Sequence, residues 1–215
     1  MSKQQKILLG IPNTGSINDR ESAVVTFLAK RHDVYYLPGN GRPVDFVRNN
    51  LIRIFLQAKD YTHLFFLDSD TEPPLDCLDR LLALDVPLAT GCYPVFMQHG
   101  LRWALANKDE DRHYRLLDRL SSFDEPFDVD AGGAGCLLVR RDLLEKICWP
   151  WFKWDELEDG TQISEDIFFF RKCNDAGYRV KVDPLVVCEH YKTTNLTMLM
   201  RLVMARQQKI RTKGV

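Results

Sequence analysis

Two carboxylates one residue apart close an apolar run, His63-Leu64-Phe65-Phe66-Leu67-Asp68-Ser69-Asp70. Leu64 to Leu67 read as a buried strand. In an extended chain residues two apart share a face, so Asp68 and Asp70 would project together from its end. Paired hard oxygen ligands suit Mg2+ or Mn2+ that is also held by phosphate oxygens. The same tripeptide also serves as a turn with an Asx bond or as a helix cap. Further along, Ser164-Glu165-Asp166 precedes Ile167-Phe168-Phe169-Phe170. Serine is a good N-cap and acids favour a first helical turn, which accounts for the triplet without chemistry. A carboxylate against an apolar wall can equally have a shifted pKa and serve as a general base. His190 follows a late apolar segment, where it is either structural or a third metal ligand. Trp149 and Trp151 stand with Phe152 and Trp154 in a cluster that suits a core or interface, although indole faces also stack on sugar rings. Ala131-Gly132-Gly133-Ala134-Gly135 reads either as a tight turn or as backbone that approaches a ligand closely.

The elements that would position these groups alternate in type. Lys6–Pro12 is an apolar run ending at proline, followed by a polar loop over Asn13–Asn18. Asp19–His32 reads as a helix and Asp33–Leu37 as a second strand closed by Pro38-Gly39-Asn40-Gly41. Val44–Lys59 places Val47, Leu51, Ile54, Phe55 and Ala58 on one helical face, and the strand into Asp68 comes next. This strand–helix–strand–helix–strand order predicts a mostly parallel sheet covered by helices. Ligands of such sheets bind beyond the carboxyl ends of the strands, where Asp68, Asp70 and the loops after Pro12 and Leu37 would lie. Downstream, Leu75–Leu84 reads as a helix, Pro87–Tyr93 as a strand and Arg140–Ile147 as a helix. A helix runs from Ser164 to about Ala176, ended by Gly177, and two strands flank Asp183-Pro184.

Composition narrows the class. The chain has 215 residues, 45% of them hydrophobic, and a net charge of -1, which does not suit a nucleic-acid partner. Its six cysteines are widely spaced with no Cys-x-x-Cys, so they read as reduced core thiols of a cytoplasmic protein. The polar start, Met1–Lys6, has no signal-peptide character. Neither a Gly-x-Gly-x-x-Gly nor a Gly-Lys-Ser/Thr loop is present, so a bound phosphate would need a metal instead. After His190 come six basic residues and no acid. That tail reads as an amphipathic helix with a solvated end, or as a segment that docks weakly on an anionic membrane face.

Taken in order, these features resemble GT-A glycosyltransferases, and within them small bacterial or phage proteins similar to family 2. The resemblance rests on four features: the Lys6–Pro12 strand, Arg48-Asn49-Asn50 on a helix, the strand into Asp68-Ser69-Asp70, and then Gly132 to Gly135, Glu165-Asp166 and His190. It implies an α/β fold of GT-A type, a three-layer α/β/α sandwich on a mostly parallel sheet. Residues 1–192 would form one catalytic domain, with a nucleotide half over 1–95, a donor-sugar and acceptor half over 96–192, and 193–215 as a basic C-terminal helix. It further implies metal-dependent transfer of a sugar from a nucleoside-diphosphate donor, UDP or GDP, to a glycan or other hydroxyl acceptor, with inversion. Asp68, Asp70 and His190 would hold Mn2+ or Mg2+, with Asp68 nearer the ribose. Asp166, or else Glu165, would be the base. Pro12, Asn13 and Arg48 would lie near base and ribose, Gly133 and Ala134 near the donor sugar, and Trp149 and Trp151 near the acceptor.

Two other classes share parts of this pattern. In haloacid-dehalogenase-like phosphatases an apolar strand also ends in Asp-x-Asp, the first Asp acting as nucleophile, but the motif lies near the N-terminus with Thr or Val two residues after the second Asp. Here that residue is Glu72 and the strand is third. A non-catalytic nucleotide-sugar or glycan-binding module would have no need of the full acid set.

Overall fold

The structure is a computed structural model that describes residues 5–13, 19–31, 33–97, 100–111, 113–157, 159–193, 197, 199–201 and 203–204. Most of the loop expected over Asn13–Asn18, the expected helix end at His32 and the end of the tail, 205–215, lie outside the described residues. The first half runs β1 (Ile7–Asn13), α1 (Asp19–Ala29), β2 (Val34–Asn40), α2 (Val44–Gln57), β3 (His63–Leu67), β4 (Thr71–Glu72), α3 (Cys77–Ala83) and β5 (Leu88–Cys92). Short strands follow: β6 (Pro94–Met97), β7 (Gly100–Trp103), β8 (Leu105–Lys108), β9 (Tyr114–Leu116), β10 (Phe127–Val129) and β11 (Ala131–Gly132). The remainder is β12 (Cys136–Arg140), α4 (Arg141–Lys146), β13 (Asp155–Glu156), β14 (Gln162–Ile163), α5 (Glu165–Asp175), β15 (Val180–Val187) and β16 (Glu189–His190).

The central sheet has seven strands in the order β10-β15-β5-β12-β3-β1-β2. β2, β1 and β3 are parallel, as are β5 and β15, while β12 runs antiparallel between β3 and β5, and β10 antiparallel at the edge. Strands from both halves of the chain are thus interleaved in one sheet. Alternation along β1 and β3 sends Leu8, Leu64 and Phe66 to one face and Ile7, Leu9, Phe65 and Leu67 to the other. α2, α4 and α5 cover the first face and α1 and α3 the second, completing a three-layer sandwich.

Several boundaries differ from the sequence reading. β2 continues through Pro38 to Asn40, which an edge strand tolerates because a proline there need give no ladder N–H. α2 buries Val47, Leu51, Ile52 and Phe55 but exposes Ile54, so its inward stripe is rotated from the one expected. The segment about Asp183-Pro184 is one strand, β15, whose register on β5 shifts between Val182 and Val187; Leu185 N–H bonds to Asp183 Oδ1 at 2.9 Å instead of to the ladder. Ser164 does cap α5, its hydroxyl accepting from Ile167 N–H, and Gly177 ends that helix at φ 90°, where a Cβ would be strained. Among the described residues no helix is long and apolar enough to cross a membrane.

Candidate active site

β3 ends at Leu67, so Asp68 to Thr71 form a turn closed by Thr71 N–H on Asp68 O at 3.0 Å, not a continuing strand. The alternation that would have projected Asp68 and Asp70 together therefore does not hold. Asp68 meets Arg48 from α2, whose Nη2 donates to both of its carboxylate oxygens at 2.7 and 2.8 Å. Asp70 meets His190 instead, with Nε2 3.7 Å from Asp70 Oδ1. The sequence reading grouped Asp68, Asp70 and His190 about one ion. The structure pairs Asp70 with His190 and Asp68 with Arg48, and among the described residues no three acidic, histidine or cysteine side chains are placed so that they could hold a metal ion together. Two protein ligands are compatible with Mg2+ or Mn2+ chemistry, since these ions take much of their shell from phosphate and water.

The ribbon formed by β4 and β16 carries His190 across some 120 residues of chain to Asp70. His190 pairs Thr71, Glu189 pairs Glu72, Tyr191 N–H donates to Asp70 O at 2.8 Å, and Tyr191 Oη donates to Glu72 at 2.7 Å. His190 Nδ1 lies 2.8 Å from Pro94 O, an atom that only accepts, so Nδ1 carries a proton; Nε2 faces Asp70, donating to it when the ring is protonated and, in the neutral ring, leaving its lone pair for a cation. That is the tautomer a metal-binding imidazole needs. Tyr93 packs edge-on against the ring at 4.9 Å between centroids. Lys192 donates to Asp70 Oδ2. Burial raises the Asp70 pKa, but its contacts with His190 and Lys192 outweigh this and bring it down to about 2.

Arg48 is buried, and its fork gathers carboxylates from separate elements. Nη2 takes Asp68, while Nη1 donates to Glu165 Oε1 at 2.5 Å and to Asp166 Oδ1 at 3.1 Å. Desolvation acts to lower the Arg48 pKa, yet the charges of Asp68, Asp166 and Glu165 raise it overall. Glu165 is buried, with 7% of its side chain exposed, whereas Asp166 keeps 24% and borders the solvent-filled cleft. Burial, with Glu165 and Asp68 nearby, raises the Asp166 pKa to about 7 against the opposing effect of Arg48 and the Ala134 N–H.

The cleft measures about 630 Å3 and lies over the carboxyl ends of β1, β2 and β3, in the range of small-molecule sites. Pro12, Asn13, Arg48, Asp68, Asp70 and Asp166 all line it, as do Glu165 and His190. Gly133 instead lines a smaller cavity of about 160 Å3 beside it, and the two share Asp166, Tyr93 and Val95. Ala134 is fully buried and reaches the site through its N–H to Asp166. The glycines there make room for a neighbour within the fold: a Cβ on Gly133 would stand 2.0 Å from Tyr93 Oη, which accepts from Gly135 N–H at 3.0 Å. The two tryptophans expected at the acceptor are elsewhere. Trp151 is a core residue whose Nε1 donates to Leu144 O and Ile147 O, and Trp149 is exposed beside Arg53. Burial of its indole and the pairing of Asn49 with the Trp151–Phe152 backbone hold Trp151 on the α2 and α4 side. Sequence reasoning missed Tyr93, Lys192 and Val44, all of which line the cleft. Tyr93 alone carried a signal, as a polar-tipped residue just beyond β5 at the same sheet edge as Asp68.

No family model matches the chain, and no curated protein matches it in sequence. Solved structures do match in shape. A197 from STIV aligns at a TM-score of 0.60 and 22% identity, covering 88% of this chain and 87% of that one. GalNAc-T7, determined with UDP, GalNAc and Mn2+, aligns at 0.58 and 13% identity over 87% of this chain and 43% of its own. The likeness shows the fold, which is that of GT-A glycosyltransferases.

Proposed function

We propose that this chain is a glycosyltransferase that moves a sugar from a nucleoside-diphosphate donor to an acceptor hydroxyl. The observation that carries the reading is the convergence, on one cleft of about 630 Å3, of an Asp70–His190 pair and a partly exposed Asp166 whose carboxylate is oriented by Arg48. The Mn2+ and UDP of the GalNAc-T7 structure, which shares the fold, support the same reading. Asp70 and His190 suit a divalent cation in the character of their donors, a hard carboxylate and an imidazole with its lone pair presented. Such a cation would neutralise charge that develops on the departing diphosphate.

The chain's own groups supply the rest. Pro12 and Asn13 border the nucleotide end of the cleft, and Asp68, fixed by Arg48, offers a carboxylate edge for ribose hydroxyls. Asp166 takes the proton of the acceptor hydroxyl as its oxygen bonds to the anomeric carbon, while the bond from that carbon to the phosphate oxygen breaks and the nucleoside diphosphate leaves. A single base and no covalent nucleophile predict inversion. Glu165, more buried than Asp166 and paired with Arg48, orients that guanidinium. A phosphatase reading requires Asp68 as a nucleophile, and here both its oxygens are held by Arg48.

The test is release of nucleoside diphosphate from a panel of UDP-, GDP- and dTDP-sugars with Mn2+ or Mg2+. Wild type turns over at least one donor, Asp70→Ala loses donor binding, and Asp166→Asn binds donor but loses turnover. Both variants turning over donor as wild type does would refute these roles, and release of phosphate from simple phosphomonoesters would favour the phosphatase.

A further inference from the structure

Beyond Asp166, away from the nucleotide cleft, two further cavities lie along α5. The first, of about 160 Å3, is walled by Ala104, Ala106, Leu116, Ala131, Ser164 and Ile167 and has Asp166 at its inner end. The second, of about 400 Å3, is lined by Lys108, Tyr114, Ile163, Arg171 and Asp175 among others. The same elements supply both walls in succession. Leu116 and Tyr114 are two apart on β9, Ile163 and Ser164 are adjacent, and Ile167, Arg171 and Asp175 fall at four-residue steps along one side of α5. From Asp166 to Asp175 the helix rises about 13 Å, longer than a single sugar ring.

The outer cavity has the composition of a site for hydroxyl-rich ligands. The Lys108 ammonium stands 5.3 Å from the centroid of the Tyr114 ring, and Tyr114 Oη donates to Asn174 Oδ1 at 3.2 Å, which holds the ring in place. Neither Lys108 nor Asp175 forms an ion pair with any described residue, so an ammonium and a carboxylate face the cavity with hydrogen-bonding capacity to spare. His113 Nε2, 3.0 Å from Asp159 Oδ2, ties the turn between β8 and β9 to the loop between β13 and β14, and both residues line the cavity. A small cavity next to the base followed by a larger one with charged side chains in its wall suits a chain whose terminal unit reacts while the units behind it are held by their hydroxyls.

We infer that the acceptor is an extended glycan of at least two or three units, laid along α5 from Asp166 to Asp175, with Lys108, Tyr114 and Asp175 as length-determining contacts. This rests on the transferase reading. The experiment takes a donor that the protein hydrolyses or binds and offers p-nitrophenyl glycosides of glucose, galactose and N-acetylglucosamine as mono-, di- and trisaccharides. The expected result is a kcat/KM for the best trisaccharide about tenfold or more above that of its monosaccharide, the worth of one charge-assisted hydrogen bond. Lys108→Ala/Asp175→Ala should bring that ratio down toward one, through KM more than kcat. A flat ratio in wild type, an unchanged ratio in the double variant, or transfer only to non-carbohydrate hydroxyls while the donor is still consumed overturns the inference and leaves the transferase reading standing. Failure of every donor to bind or react overturns both.

Discussion

Replacing Arg48 by methionine would leave Asp68, Glu165 and Asp166 close together without their shared cation. Breaking a buried pair by removing one partner typically costs about 3–5 kcal/mol, and chemical denaturation of Arg48→Met should show a loss of that size. Arg48→Lys keeps the charge but cannot make the two-sided fork, so it should recover part of the stability and little of the turnover. Asp166→Asn should lower kcat by about 10²–10⁴-fold, the usual contribution of a positioned base, with donor affinity retained. The raised Asp166 pKa also sets the shape of the pH profile. The base works only when deprotonated, so kcat should climb with unit slope below about pH 7 and level off above it. A flat profile from pH 5 to 8, measured with chemistry rate-limiting, would remove Asp166 from that role.

α2 carries site residues on one side and scaffold contacts on another. Arg48 reaches the carboxylates, while the next residue, Asn49, uses Oδ1 to accept from Trp151 N–H and Phe152 N–H, both at 3.1 Å, and Nδ2 to donate to Phe152 O at 2.7 Å. Asn49→Ala would strand these backbone groups in the core and should destabilise the protein by about 2–4 kcal/mol, read by denaturant titration. Phe152 stacks on Phe169 of α5 at 4.6 Å, so this loosening should also reach the helix that presents Asp166. Periodicity, a local property, made α2 legible as an amphipathic helix in the sequence, whereas Arg48 was marked as a site residue only by the resemblance to GT-A glycosyltransferases. The sequence did not reveal that Arg48 serves three carboxylates, since Glu165 and Asp166 lie 117 and 118 positions away. The same limit explains the tryptophans. An indole that stacks on sugar and one that fills a core look alike in sequence, and only the Trp151 Nε1 bonds to Leu144 O and Ile147 O separate them. The turn at Asp68–Thr71 was legible as one alternative for the tripeptide, and the β4–β16 ribbon was not, because two-residue strands carry no periodicity.

Across the whole molecule, two acids pull stability in opposite directions with pH. Asp70, depressed to about 2, contributes stability that is complete above its unfolded value of 3.8 and is lost as pH falls toward 2. Asp166 has its pKa raised, so between 3.8 and about 7 the native state holds more protons than the unfolded one and stability declines as pH rises. Asp166→Asn removes that decline, and its stability relative to wild type should therefore increase from about pH 4 to pH 8, a trade of stability for function. The fold class was the most legible layer, because a parallel sheet with helices on both faces follows from alternating apolar strands and amphipathic helices. The insertion of antiparallel β12 between β3 and β5 was not legible, although it brings the Gly133–Gly135 turn against Tyr93 and lets Gly135 O accept from Asp68 N–H at 3.0 Å.

The central claim is that one cleft binds a nucleoside diphosphate through a divalent cation held at Asp70 and His190. Calorimetric titration of UDP and GDP into the protein, with and without Mn2+, tests it most directly. The account predicts binding of at least one of them that is strong with Mn2+, weak without it, and abolished in Asp70→Ala. Absence of binding under every condition, or binding by Asp70→Ala as tight as by wild type, would contradict it.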